Sequence, residues 1–338
     1  MRERADPPPI DILFVLPPRA LLLDLAGPAE AFRLANQHRS SAGRTVPFRL
    51  RYTAATRQVD SSVGLAMAAV EPLPQSLPRP TWMVLVGQPS EALARPDPDT
   101  LTIAQWLNRR MRPLLEGDLQ HRLVTICSGT LLAARAGLLG SRRCTTHHNL
   151  LEQLRRLATH AEVVDNRVFV LDGPLASSAG VTAGIDLALH LIAQACGDAL
   201  AAAVARDMVV YLRRTPHDPE LSPMLAHRHH LHPAVHRVQD AIAARPTHDW
   251  DTTSLAAVAH VTPRHLLRLF AEHAGVSPLE YLEKIRLEHA RQSLRRGASV
   301  TRAAEVAGFS SDLQLRRAWG RHWGGTPRDE ASRHSGFP

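Results

Sequence analysis

Residues 123–148 read LVTICSGTLLAARAGLLGSRRCTTHH. The run over 122–126 is short, apolar and β-branched, the composition of a buried strand. It stops at Cys127, Ser128 and Gly129, and small and apolar side chains at helical spacing follow over 130–139. A strand that passes straight into a helix holds the residue at the turn over the strand end, among the unpaired N–H groups of the helix start. The stretch therefore presents Cys127 as a nucleophile would be presented, and it predicts the strand-helix unit from which α/β domains are built.

The alternation extends to both sides. Strands are predicted at 11–16 (DILFVL), 48–54 (FRLRYTA) and 82–87 (WMVLVG), each short, apolar and bounded by Pro, Gly or charge. Helical spacing fills 28–37, opening at Gly27-Pro28, and 100–111. The segment SAGVTAGIDLALHLIAQACG (178–197) leads small residues into an amphipathic helix that closes this domain near Cys196. The expected architecture is a mostly parallel sheet with helices on both faces. DALAAAVARDMVVYLRR is one more helix, and the stretch rich in Pro and His that follows (215–233) reads as the interdomain linker.

Composition narrows the function classes. With 338 residues, 44% of them hydrophobic, the chain can bury a core in each of two or three domains. No apolar run approaches the roughly 20 residues that span a bilayer, and MRERADPPPI lacks an apolar signal stretch, so a cytoplasmic protein is expected, away from membranes. Cys127, Cys144 and Cys196 are odd in number and lack CxxC spacing, against a disulfide framework or a structural zinc site. Cys144 and Cys196 read as packing residues. The histidines of HRHHLH (227–232) lack regular ligand spacing, so neither metal nor cofactor is assigned. The net charge is +8, and all but one of the 40 basic side chains are arginine, a bias that suits phosphate and guanine but also follows from a GC-rich genome.

Beyond residue 234 the strand pattern disappears and an all-α domain is predicted. In SLAAVAHVTPRHLLRLFAEHAG (254–275), Thr262 caps a helix whose first residue is Pro263. Leu266, Leu269 and Phe270 share its inner face and leave Arg264, His265, Leu267 and Arg268 outward. That is a helix-turn-helix. A second copy follows in VTRAAEVAGFSSDLQLRRAWGRHWG (300–324), with Gly308 at the turn and Ser310 as the cap. Leu315, Trp319 and Trp323 are expected to bury together, leaving Leu313, Gln314, Arg316, Arg317 and Arg321 outside. A long helix, 278–296, joins the copies; if it spaces them by about one DNA turn, roughly 34 Å, both enter successive major grooves.

These residues, from about Val235 to Pro327, resemble the AraC/XylS family of transcription regulators. The resemblance implies double-stranded promoter DNA as partner, with Arg264, Leu267 and Arg268 presented by the first reading helix and Leu313, Gln314 and Arg317 by the second. Arg268 and Arg317 match reading positions in both copies, where a guanidinium can pair with guanine O6 and N7. Arg264, Arg316 and Arg321 are assigned to phosphates.

LLLDLAGPAEAF (21–32), SSVGLAMA (61–68), 126–148 and SSAGVTAGIDLALHLI (177–192) resemble the class I glutamine amidotransferase-like (ThiJ/PfpI) fold of GlxA-type regulators. The resemblance implies a ligand-sensing domain over 10–196, a helix and linker over 197–233, and an AraC-type DNA-binding domain over 234–328, with helix-turn-helices at 253–272 and 301–322. Asp24, from a loop, with Cys127, Ser128 and His147 would contact the ligand, possible amino compounds being the class implied. A homodimer is expected, and no catalysis. The alternative is a cysteine-dependent hydratase or amide hydrolase fused to a DNA-binding domain, in which Cys127, Asp24 and Ser128 would be catalytic.

Overall fold

A computed structural model describes residues 9–68, 70–117, 120–210, 227, 230, 232–295 and 297–334, the last four without their side chains. The chain divides into two compact units at residues 220 and 221. In the first, the elements run β1 (Ile10–Val15), α1 (Leu22–Ser41), β2 (Phe48–Ala54), β3 (Gln58–Asp60), β4 (Ala66–Ala68), β5 (Glu71–Pro72), β6 (Thr81–Leu85), α2 (Ser90–Ala94), α3 (Pro98–Glu116), β7 (Arg122–Ile126) and α4 (Gly129–Arg135). They continue with β8 (Arg143–Cys144), α5 (Leu151–Leu157), β9 (Glu162–Val163), β10 (Phe169–Asp172), β11 (Leu175–Ser178), α6 (Thr182–Cys196) and α7 (Asp198–Asp207).

Seven strands form one sheet in the order β10-β11-β7-β6-β1-β2-β5, parallel throughout except for the β10–β11 hairpin. Side chains alternate across it, as the period of two requires. Ile12 and Phe14 face one core with Leu25, Phe32, Leu187 and Leu191 from α1 and α6. Leu13 and Val15 face a second core with Ile103, Leu107 and Leu131 from α3 and α4. Helices thus cover both faces of a mostly parallel sheet. In the segment read as helix and linker, 197–233, the helix is α7, which buries Ala201, Val204 and Ala205 in the core that α1 and α6 share. Residues 211–226, 228, 229 and 231 of that segment lie outside the described residues.

The second unit holds α8 (Pro233–Ala244), α9 (Thr252–Ala259), α10 (Pro263–Ala274), α11 (Pro278–Arg295), α12 (Val300–Ala307), α13 (Asp312–His322) and α14 (Pro327–His334). It contains two small cores. Tyr281, Leu282 and Ile285 at the start of α11 pack with α8, α9 and α10; Leu287, Ala290 and Leu294 at its end pack with α12 and α13. The long helix is therefore the shared wall of two helix-turn-helix units, each with its own core.

Two local expectations change. The cap of α13 is Ser311, whose hydroxyl accepts the Gln314 N–H, and not Ser310. Trp323 does not bury: α13 ends at His322, and Trp323 stays 40% exposed, edge-on to Trp319 at 4.6 Å and under the Arg291 guanidinium. The turn residue His260 adopts φ +56, a left-handed conformation that glycine takes freely and histidine tolerates. Gly308 stands at the corresponding place in the second helix-turn-helix with φ +83, and a Cβ there would meet the Thr247 backbone closely. Among the described residues, no helix is long and apolar enough to cross a membrane, and no group of three or more His, Cys, Asp or Glu side chains is arranged to hold a metal ion.

Candidate functional site

β7 delivers its last residue, Ile126, to Cys127, which turns the chain with φ +53. That left-handed backbone costs of the order of 1–3 kcal/mol outside glycine and persists only where surrounding bonds fix it. Here they do. The Cys127 N–H donates to the Ser178 carbonyl at 3.1 Å, and its own carbonyl accepts the Thr146 hydroxyl at 2.8 Å and the Thr130 N–H at 3.3 Å. Two glycines make room. A Cβ on Gly129 would lie 2.2 Å from the Leu85 carbonyl oxygen, and one on Gly180 would lie 2.3 Å from Cys127 Cβ and 2.7 Å from its Sγ.

Asp24 comes to the elbow from the first turn of α1, and not from a loop. The helix starts at Leu22, six residues before the expected opening, and carries Pro28 inside it. Proline costs a helix one N–H, the partner of the carbonyl four residues earlier, which here is that of Asp24 itself. Non-local bonds hold this first turn: the Leu22 N–H reaches Ser62 Oγ, and the Asp24 carboxylate accepts the Val181 N–H at 2.9 Å and the Gly87 N–H at 3.3 Å. Burial pushes the Asp24 pKa up from 3.8 to about 6, opposed by those two N–H donors and by the Cys127 thiol, which donates to the carboxylate.

Ser128 meets the same place from the other side. Its Oγ donates to the Gln88 carbonyl at 2.8 Å and accepts the Gln88 N–H at 2.6 Å, and a Cβ on Gly87 would touch both Asp24 Oδ2 and Ser128 Oγ. Asp24, Cys127 and Ser128 are thus brought together around the Gly87-Gln88 backbone. His147 Nδ1 accepts the Asn149 N–H at 3.3 Å, and its ring lies 4.1 Å from that of His148. Its neighbour Thr146 makes the link to Cys127. Gly87, Gln88, Gly180 and Val181 complete the site and were not singled out from the sequence. Cys144 is a core thiol, fully buried, its pKa pushed up to about 11 by that burial.

A buried carboxyl with a raised pKa gives a signed expectation. Between about pH 4 and pH 6 the folded chain holds a proton at Asp24 that the unfolded chain has released, so this group's stabilisation is complete below 3.8 and is lost as pH rises through 6. In denaturant titrations at pH 4.5 and pH 7, wild type should lose more midpoint on the way up than Asp24→Asn does. Equal pH slopes in the two proteins would mean that Asp24 is not held protonated by burial.

In the second unit Thr262 caps α10 by accepting the His265 N–H, with Pro263 at the first helical position. Leu266, Leu269 and Phe270 are buried, while Arg264, His265, Leu267 and Arg268 are exposed. Arg268 donates to His265 Nε2 at 3.3 Å. On α13, Leu315, Ala318 and Trp319 are buried, and Leu313, Gln314, Arg316, Arg317 and Arg321 are exposed. Several of these are already engaged. The Gln314 carbonyl oxygen accepts the Ser310 N–H and hydroxyl, Arg316 pairs with Asp312 at 3.1 Å, and Arg321 pairs with Glu283 at 2.7 Å. Exposed pairs of this kind are weak and can be exchanged for phosphates.

Comparison with known proteins agrees with both halves. The helix-turn-helix domain family matches residues 255–333, and the DJ-1/PfpI family matches residues 98–194. The HTH-type transcriptional regulator GbdR of Pseudomonas aeruginosa is 29% identical over 329 residues, 95% of this chain and 84% of that protein. The regulator CdhR of the same species is 31% identical over 235 residues, 68% of this chain and 67% of that protein. An isonitrile hydratase of Pseudomonas putida is 44% identical over 82 residues, 23% of this chain and 33% of the enzyme.

A DJ-1/PfpI-type domain joined to a tandem helix-turn-helix defines a DNA-binding transcription regulator. The chain belongs to the AraC/XylS family, in the GlxA-type branch that carries this N-terminal domain.

Proposed function

We propose that this regulator senses a small amino compound at the Asp24–Cys127 elbow and reads two blocks of promoter DNA, through Arg268 on α10 and Arg317 on α13, as a cytoplasmic homodimer. The observation that carries the reading is the pair of separate cores on either side of α11. Each core fixes one exposed arginine-bearing helix, and the shared helix of 18 residues is about 27 Å long, close to one turn of DNA. In this reading the sensing domain spans 10–196 and the DNA-binding domain 234–328. Arg264 and Arg316 sit on phosphates, with Arg321 released from Glu283 to do the same, and Leu267, Leu313 and Gln314 lie against base edges.

Sensing rather than turnover is supported by the attachment of this domain to a DNA-binding one. The Cys127 thiol donates to Asp24, an arrangement that serves a ligand contact as well as a nucleophile, and the Ser128 hydroxyl both donates to and accepts from the Gln88 backbone. The relatives that cover most of this chain are regulators, whereas the hydratase shares a short segment.

The test is binding to a selected duplex by fluorescence anisotropy. Arg268→Ala and Arg317→Ala should each lose discrimination worth about 1–3 kcal/mol, roughly 5- to 150-fold, at one block of the site. Arg264→Ala should weaken all sequences alike and flatten the salt dependence. Equal affinity of wild type, Arg268→Ala and Arg317→Ala for the selected site would remove direct readout by these arginines.

A further inference from the structure

Helices α3 and α4 leave between them a groove of about 650 Å³, lined by Leu101, Ala104, Gln105, Asn108 and Arg109 from α3 and by Arg135, the last residue of α4. Arg135 is only partly committed to the fold. One terminal nitrogen donates to the Leu93 carbonyl at 2.6 Å, and the other is buried without a hydrogen-bond partner among the described residues. A buried guanidinium nitrogen with no acceptor costs free energy until one arrives. Burial lowers the Arg135 pKa, and no carboxylate counters it.

The other walls have matching chemistry. Arg109 brings a second guanidinium, with no acidic partner among the described residues; its Nε donates to the Gln105 carbonyl at 3.4 Å. Asn108 donates its amide N–H to the Ala136 carbonyl and keeps its own carbonyl oxygen as an acceptor. Leu101, 47% exposed, and Ala104 provide apolar wall. Two guanidiniums can grip a carboxylate through charge-assisted, forked hydrogen bonds that a neutral group cannot make.

We propose that this groove binds a small organic anion, its carboxylate between Arg109 and Arg135 and its apolar part against Leu101 and Ala104. The site is separate from the elbow and does not rest on the sensing role assigned there. It is coupled to it by the covalent frame: α4 runs seven residues from Gly129, next to the Cys127–Ser128 turn, to Arg135, a rigid rod of about 10 Å. A ligand that pulls on Arg135 therefore pulls on the helix whose first turn carries the elbow.

Isothermal titration of the full chain with octanoate tests this, with octanol and inorganic phosphate as companion titrants. Wild type should bind octanoate saturably at one site, and Arg109→Ala and Arg135→Gln should each bind it about tenfold more weakly or worse. Octanol should show no saturable binding, and phosphate should bind more weakly than octanoate. Arg109 is exposed, so its variant keeps the test decisive if losing the bond from Arg135 to Leu93 unfolds α4. The proposal is overturned if octanoate does not saturate, if both arginine variants bind it as wild type does, or if phosphate binds as tightly. Loss of octanoate binding in Cys127→Ala, with the arginine variants unaffected, would move the ligand to the elbow and overturn it equally.

Discussion

Trp319→Ala is expected to cost about 3–5 kcal/mol and to melt one helix-turn-helix while its neighbour stays folded. The core of the second helix-turn-helix is small and rich in alanine: Ala290, Ala303, Ala304, Ala307 and Ala318 surround Leu287, Leu294, Leu315, Phe309 and Trp319. Trp319 is its largest side chain and only 3% exposed, so nothing nearby can fill the space it would leave. A core of this size supplies only about 3–5 kcal/mol, comparable to the loss. The first helix-turn-helix keeps its own cluster around Val238, Leu255, Phe270 and Tyr281. Hydrogen exchange should show protection lost across α12 and α13 and retained across α9 and α10, and DNA protection should shrink to one block. Loss of protection spread evenly over all these helices would mean that the two cores are one cooperative unit.

The second large effect is at the elbow. Gly180→Ala should destabilise the first unit by about 3 kcal/mol or more, because two penalties act at one position. The backbone there has φ +100, which side chains rarely adopt, and the new Cβ would overlap Cys127 at 2.3 Å. Gly173→Ala separates the two penalties: its φ is +57 with nothing within 4 Å of the new Cβ, so only the backbone cost of about 1–2 kcal/mol applies. The denaturant midpoint should fall much further for Gly180→Ala than for Gly173→Ala. Similar midpoints would show that the close packing on Cys127 yields easily. The same comparison bears on function, since a chain that moves away from Cys127 also moves the Val181 N–H that holds Asp24.

Strands β1, β2, β6 and β7 were legible as short apolar runs bounded by Pro, Gly or charge, and Ile12, Leu13, Phe14 and Val15 show why the run is continuous: both faces of the sheet are buried. The start of α1 was not. Gly27-Pro28 looks like a helix opening, and what extends the helix back to Leu22 is bonding to Ser62, Gly87 and Val181, distant in sequence. The elbow shows the same division. Cys127 is visible as a strand-to-helix junction, and Asp24 and Ser128 by resemblance. Gly87 and Gly180 matter for close approach, which a sequence does not distinguish from a simple turn. In the second unit, Thr262 could be read as a cap because Pro263 follows it, whereas Ser310-Ser311 offers two equivalent candidates and only the bond to Gln314 decides. Trp323 kept helical spacing beyond the point where the helix stops. The pairing of Arg321 with Glu283 on a different helix has no signature in spacing.

The central claim is that α10 and α13 each read a separate block of one DNA site. Its most direct test is selection of bound duplexes from a random library by the full chain, with Arg268→Ala and Arg317→Ala selected in parallel. The account predicts a recurring motif of two blocks about one helical turn, roughly 34 Å, apart, with one block degraded by each variant. A motif of a single block, or one that both variants leave intact, would contradict it.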